Sequence, residues 1–273
     1  MEHNTIHTGD CFDVLSELPP ESVHAVVSDP PYNLSKGEGV EWEDKNWSKT
    51  NEEWDDFTIQ DYADFTQKWL QLCKSKIKKG GCIVVFGTYH NIGHVNVTLQ
   101  ELDFTILNEI VWYKRNAFPN LSTTRLTASH ETILWAYKGN DKNYTFNYEW
   151  AKKTNWPSDS NDMPNKQVRS VWNIPTSSKG GRLDKHPTQK PRQVMDRLIK
   201  LFTKPGDVVL DPFAGSGTTL KAAKGLNRQF IGIEQQPKWA DVARVRLGLT
   251  PNDPSVVRGD SDQSGLEAFE VGQ

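Results

Sequence analysis

The residues Asp29-Pro30-Pro31-Tyr32 come one position after the apolar run Val23-His24-Ala25-Val26-Val27. That placement puts a carboxylate, two prolines and an aromatic ring at the end of a buried strand. Open α/β sheets bind ligands at that edge. The carboxylate accepts a hydrogen bond from an amino group. Proline cannot donate a backbone N–H, which leaves its carbonyl as a second acceptor. The tyrosine ring can stack on a flat base. Together the four suit a planar heterocycle with an exocyclic NH₂. The competing reading is a plain turn, because Asp and Pro are common turn residues.

A second motif lies far downstream. The short apolar run Val208-Val209-Leu210 leads into Asp211-Pro212-Phe213-Ala214-Gly215-Ser216-Gly217-Thr218-Thr219, then into the helix-like Leu220-Lys221-Ala222-Ala223-Lys224. This is strand, glycine-rich turn, helix. Gly215 and Gly217 permit a tight turn and a close backbone approach to a ligand. The next strand, Gln229 to Ile233, ends at Glu234, about 20 residues on, the usual spacing for an acid that binds ribose hydroxyls. The loop is neither G-x-G-x-x-G nor a P-loop, so dinucleotide and triphosphate readings lose ground. A nucleoside without phosphate fits better, and S-adenosylmethionine is one.

With His186-Pro187-Thr188-Gln189-Lys190-Pro191, these motifs resemble the amino-group DNA methyltransferases. The resemblance runs over roughly residues 4 to 248, and three motifs in a consistent order are specific. The catalytic motif precedes the cofactor loop, the circularly permuted order of the family's β group. The fold it implies is α/β and Rossmann-like, a class I methyltransferase with a mostly parallel seven-stranded sheet, helices on both faces and a small recognition insertion. It implies Asp29, Pro30, Pro31 and Tyr32 as catalytic. The implied S-adenosylmethionine site comprises Asp10, Cys11, Phe12, Asp29, His186, Thr188, Lys190, Asp211, Phe213, Ala214, Gly215, Ser216, Gly217, Thr218, Glu234 and Gln235. Asp10 would accept a hydrogen bond from the adenine amino group, or cap the following helix, or both.

An Asp at the first motif position is typical of the family's adenine enzymes, whereas the cytosine 4-amino enzymes more often carry Ser. The favoured target is therefore the 6-amino group of a flipped-out adenine in duplex DNA. A cytosine 4-amino enzyme, an RNA adenine methyltransferase and a catalytically dead DNA-binding relative stay open. Glutamine methylation of proteins, which uses an Asn-Pro-Pro-Tyr cup, fits poorly, because position 29 is Asp, the motif order is permuted and a recognition-sized insertion is present. A homodimer and a cognate restriction endonuclease are further partners the resemblance allows.

The elements that must position these groups follow from periodicity. Thr5 to Thr8 reads as a strand, with Gly9-Asp10 ending it and Cys11 opening a helix. Residues 58–78 show helical spacing at Tyr62, Phe65, Trp69, Leu72 and Ile77, with Gly80-Gly81 as the stop. Ile83 to Phe86 is a buried strand, residues 91–102 are helical, and 104–113 and 132–137 form two strands in a hairpin-like edge. The catalytic domain spans 1–137 and 186–249, with 33–57 a mobile loop beside the site. The resemblance implies that residues 138–185 are the target-recognition region, where Asn155, Asn161, Asn165, Gln167 and Arg169 could read base edges. Residues 250–273 read as a tail.

Composition adds bounds. The 273 residues suffice for one large α/β domain with an insertion. The net charge of −3 does not advertise a nucleic-acid binder, but the run from Lys179 to Lys204 is strongly basic and suits phosphate contacts. The three cysteines, Cys11, Cys73 and Cys82, show no metal spacing and no disulfide framework. No metal is signalled, no stretch is apolar enough to span a bilayer, and no signal peptide is apparent. A cytoplasmic enzyme is the expectation.

Overall fold

The computed structural model describes residues 2–33, 57–120, 124–154, 167–176 and 189–258. The strands are β1 (Thr5–Thr8), β2 (Val23–Ser28), β3 (Ile77–Gly87), β4 (Thr105–Tyr113), β5 (His130–Tyr137), β6 (Val171–Asn173), β7 (Val208–Asp211) and β8 (Gln229–Glu234). They form one sheet in the order β1-β8-β7-β2-β3-β5-β4-β6. Only β5 runs against its neighbours, pairing antiparallel with β3 and β4; every other pair is parallel.

The strand sequences explain why both sheet faces are covered. On β3, Cys82, Val84 and Phe86 point into one cluster and Ile83 and Val85 into the other. Near-continuous apolar runs of this kind are what a doubly covered sheet requires. One face carries α1 (Cys11–Glu17), α2 (Ile59–Lys76) and α3 (Ile92–Glu101). The other carries α4 (Tyr148–Lys153), α5 (Arg192–Phe202), α6 (Thr218–Gly225) and α7 (Pro237–Arg246). This is the expected Rossmann-like architecture, with eight strands among the described residues where seven were expected.

The extra strand is β6, which comes from the 138–185 insertion. It replaces the β4–β5 pair as the sheet's edge. Trp172 on β6 is buried beneath the Arg197 guanidinium, 4.1 Å from the ring centroid, and Trp112 Nε1 donates to the Ile174 carbonyl at 2.7 Å. A three-residue strand shows too little alternation to be read from sequence. What anchors it is a cation over an aromatic ring, contributed by a distant helix.

Two boundaries also differ. The helix expected over 58–78 ends at Lys76, and β3 begins at once, so Gly80 and Gly81 lie inside a strand. Their role is close backbone approach. A Cβ on Gly80 would sit 2.1 Å from the Asn143 carbonyl oxygen, and one on Gly81 2.7 Å from that of His24. The expected tail starts as ordered structure, because Asp241 accepts from the amides of Asn252 and Asp253 at 2.7 and 2.9 Å, ahead of a 3₁₀ turn at Pro254–Arg258. Residues 259–273 lie outside the described residues, as does nearly all of the 33–57 loop. Among the described residues no helix is long and apolar enough to cross a membrane, and no His, Cys, Asp or Glu cluster is arranged to hold a metal.

Candidate active site

Sheet order turns distant sequence positions into neighbours. Asp10 follows β1, Glu234 ends β8, Asp211 ends β7 and Asp29 follows β2, and these are four adjacent parallel strands. Four carboxyl groups therefore stand in a row along one edge.

Backbone amides hold three of them, Asp10, Glu234 and Asp211. Asp10 caps α1, accepting from the Phe12 amide at 2.7 Å. Glu234 accepts from Gly215 N through one oxygen and from Gln236 N through the other, both at 2.8 Å. The carboxylate thus ties the glycine-rich loop to the start of α7. Gly215 and Gly217 have φ of 52° and 77°, the left-handed region where glycine has no steric cost. Asp211 is buried and accepts from the Phe213 amide at 3.1 Å. Burial pushes its carboxyl up to about 7, against the Thr219 hydroxyl and the Phe213 amide, with Asp29 and Glu234 adding to the rise.

Asp29 sits in a buried ionic chain. Lys190 Nζ lies 2.7 Å from Asp29 Oδ2 and 3.4 Å from Glu131 Oε2, and Lys114 Nζ lies 2.6 Å from Glu131 Oε1. The Tyr32 hydroxyl donates to Asp29 Oδ1 and lies 3.3 Å from Glu131 Oε2. Burial raises the Asp29 carboxyl above its usual range; Lys190 opposes the rise and Glu131 adds to it. Burial would raise Glu131 too, but Lys190 and Lys114 hold it below the ordinary value. The motif's backbone is fixed from behind, since the Tyr62 hydroxyl donates to the Pro31 carbonyl at 2.9 Å and accepts from Asn91 Nδ2 at 3.0 Å.

The remaining expected residues divide. Phe12 and Phe213 lie half-buried, each packed against Phe65, with ring centroids 5.7 and 5.9 Å away. Ala214 N bonds the Ile233 carbonyl, closing the loop onto β8. Ser216 is buried and its hydroxyl accepts from Arg246 at 2.8 Å; Thr218, also buried, opens α6. Gln235 is exposed. The Cys11 thiol belongs to the apolar core, and burial, with Asp10 next, pushes it up to about 12. Lys190 turns its ammonium to Asp29 and Glu131. His186 and Thr188 lie outside the described residues, as do Asn155, Asn161 and Asn165.

The basic run is less open to phosphate than its composition suggests. Lys190 and Arg197 are buried, and Arg192 pairs with Asp196 at 2.6 Å. Lys179, Arg182 and Lys185 lie outside the described residues. Glu131 and Lys114 were not anticipated. The available signal was Glu131 itself, a lone acid leading the run Thr132 to Tyr137; starting the strand at Thr132 left it just outside.

Comparison with known proteins agrees with this geometry. The DNA methylase family model matches residues 23–244. The type II methyltransferase M.HinfI of Haemophilus influenzae is 39% identical over 258 residues, covering 91% of this chain and 70% of that protein. The type II methyltransferase M2.DpnII of Streptococcus pneumoniae is 39% identical over 241 residues, 87% of each. The crystal structure of the M1.HpyAVI–SAM complex superposes with a TM-score of 0.64 at 29% identity, covering 90% of this chain and 99% of that one. The chain belongs to the DNA methylase family.

Proposed function

We propose that this enzyme transfers a methyl group from S-adenosylmethionine to the 6-amino group of adenine in duplex DNA. The observation that carries the reading is the row Asp10, Glu234, Asp211, Asp29 on adjacent strands. A nucleoside bearing a sulfonium and an α-ammonium fits an edge lined by carboxyl groups and walled by Phe12 and Phe213. Glu234 and Asp10 would hold its ribose and adenine ends. The bound cofactor supplies an electrophilic methyl group.

The chain's own residues do the rest. The target's exocyclic nitrogen is a poor nucleophile, because its lone pair is delocalised into the ring. Asp29 and the Pro30 carbonyl each accept one amino hydrogen, which holds the nitrogen pyramidal and aimed. Positioning of this kind supplies at best roughly 7–11 kcal/mol. The Asp29 carboxylate also offsets the positive charge that grows on nitrogen. The Tyr32 hydroxyl occupies Asp29 Oδ1 as an amine N–H would. The arriving base takes its place, and the ring becomes a stacking surface. A base inside a duplex cannot reach this edge, so it is flipped out. Asp at position 29 favours adenine over cytosine.

Duplex DNA is the macromolecular substrate in this reading. Residues 138–185 contribute its recognition, the cytoplasm is the compartment, and a second copy of the chain and a cognate endonuclease are the further partners. The test is nucleoside analysis after incubating the protein with S-adenosylmethionine and unmethylated duplex DNA. N6-methyladenine is expected, formed roughly 10²–10³-fold more slowly with Asp29→Ala. N4-methylcytosine would overturn the choice of base, and no methylated nucleoside would overturn the reading.

Asp211 adds a pH prediction. A cation bound beside it favours the ionised carboxylate. With the free protein's carboxyl at about 7, binding releases a proton below that pH, and affinity weakens as pH falls through it. Calorimetry at pH 6.5 in two buffers of different ionisation enthalpy should give different heats for wild type. The Asp211→Asn variant should lose that difference. Equal heats for wild type in both buffers would count against Asp211 facing the cofactor.

A further inference from the structure

We propose that Glu131 is a positioning residue for methyl transfer: it holds the Lys190 ammonium between two carboxylates, so that Asp29 keeps one oxygen clear of the cation for the target amine. The inference rests on the reading that Asp29 meets that amine.

Glu131 is an anomaly in its own strand. It is 7% exposed near the start of β5, whose last five residues, Ile133 to Tyr137, are all buried apolar side chains. A carboxylate in such a place is costly unless it is paired and hydrogen-bonded. Lys114 alone gives no reason for it, because Lys114 follows β4, is 18% exposed and can reach water. Lys190 is 7% exposed and depends on the carboxylates around it.

The distances divide the labour. Lys190 commits to Asp29 Oδ2 at 2.7 Å and keeps Glu131 as its second, longer partner at 3.4 Å. Asp29 Oδ1 is left to a neutral donor, the Tyr32 hydroxyl, which Glu131 also flanks. Charges alternate along the chain Lys114, Glu131, Lys190, Asp29. Without Glu131 the ammonium answers to Asp29 alone, draws its electron density and makes it a weaker acceptor.

The electrostatics of the cluster point the same way. The groups facing Asp29 are Lys190 ahead of α5, Glu131 on β5, Tyr32 in its own loop and Asp211 at the end of β7. Lys114 stands behind Glu131, and Glu234 behind Asp211. Glu131 pushes the Asp29 carboxyl up, so removing its charge lets Asp29 fall. The acid limb of the rate profile should then move to lower pH.

The experiment compares wild type with Glu131→Gln, Lys114→Met/Glu131→Gln, Lys190→Met and Lys190→Met/Glu131→Gln. Methyl transfer to duplex DNA is measured across pH, with S-adenosylmethionine affinity as the control for folding. Glu131→Gln should lower kcat roughly tenfold to a hundredfold, the size of loss known for outer partners that orient metal ligands. KM for DNA and cofactor should hold within about twofold, as befits an interaction that acts on the chemical step. The Lys114→Met/Glu131→Gln pair keeps the site's charge balance, which protects its fold, and should still show the slow, shifted profile. Loss of Glu131 should cost nothing further once Lys190 is gone. Wild-type rates and limb in Glu131→Gln would overturn the inference. So would their recovery in the Lys114→Met pair, which would make Glu131 a counter-ion for Lys114 only. A wild type that methylates nothing would overturn the functional reading and this inference with it.

Discussion

Replacing Asp29 with alanine is expected to lower the single-turnover methyl-transfer rate by roughly 10²–10³-fold, the loss typical when one preorganised electrostatic partner of a transition state is deleted. Two effects combine. The amine loses the acceptor that aligns it, and the charge growing on nitrogen loses its nearest anion. The fold should survive, because Lys190 keeps Glu131 at 3.4 Å. Stripping a buried cation of every partner would cost about 3–5 kcal/mol; here one carboxylate remains. Asp29→Asn separates the two effects, since its carbonyl still accepts but carries no charge. It should fall between alanine and wild type. Stopped single turnovers with radiolabelled cofactor make the comparison, and an alanine variant within tenfold of wild type would remove Asp29 from the chemistry.

Much of this site was legible because its parts are local. Asp29 and its prolines directly follow the six-residue strand Val23–Ser28, and Asp211 and the glycines form an unbroken strand–turn–helix. Each motif announces its own position at a strand end, and the doubly wound rule then brings the ends together. What was not legible depends on pairing across the sheet. Glu131 becomes meaningful only when β5 is laid antiparallel beside β3, which brings its first residues to the edge where the parallel strands end. Lys190 appeared to be part of a cofactor motif because the chain places it there. Its ammonium points to Asp29, which is 161 positions earlier in the sequence. Strand β6 was hidden for the same reason, since Trp172 owes its burial to Arg197 on α5 and to Trp112 on β4. Gly80 and Gly81 read as a helix stop because glycine after a helical period usually is one. Only the Asn143 and His24 carbonyls pressed against them reveal the other use.

Glu234→Ala should have the opposite kinetic signature. Glu234 is the only residue of the row that grips the glycine-rich loop and the start of α7 at once, through Gly215 N and Gln236 N. A carboxylate suits two ribose hydroxyls, and hydrogen bonds to a charged group contribute about 1.5–3 kcal/mol each. Losing even the lower value twice raises the cofactor Kd roughly a hundredfold, since each 1.4 kcal/mol is a factor of ten. The loop amides are freed as well, so the cradle slackens. At saturating cofactor the rate should change little, because β7 separates Glu234 from the strand that carries Asp29. Titration calorimetry gives the affinity, and saturation kinetics the rate. An unchanged Kd would remove Glu234 from the ribose site and leave it a loop anchor. A collapsed rate at saturation would mean the loop also sets the aim of the methyl group. The contrast with Asp29 is what tests the row as a whole: one end should govern how tightly the donor is held, the other how fast it reacts.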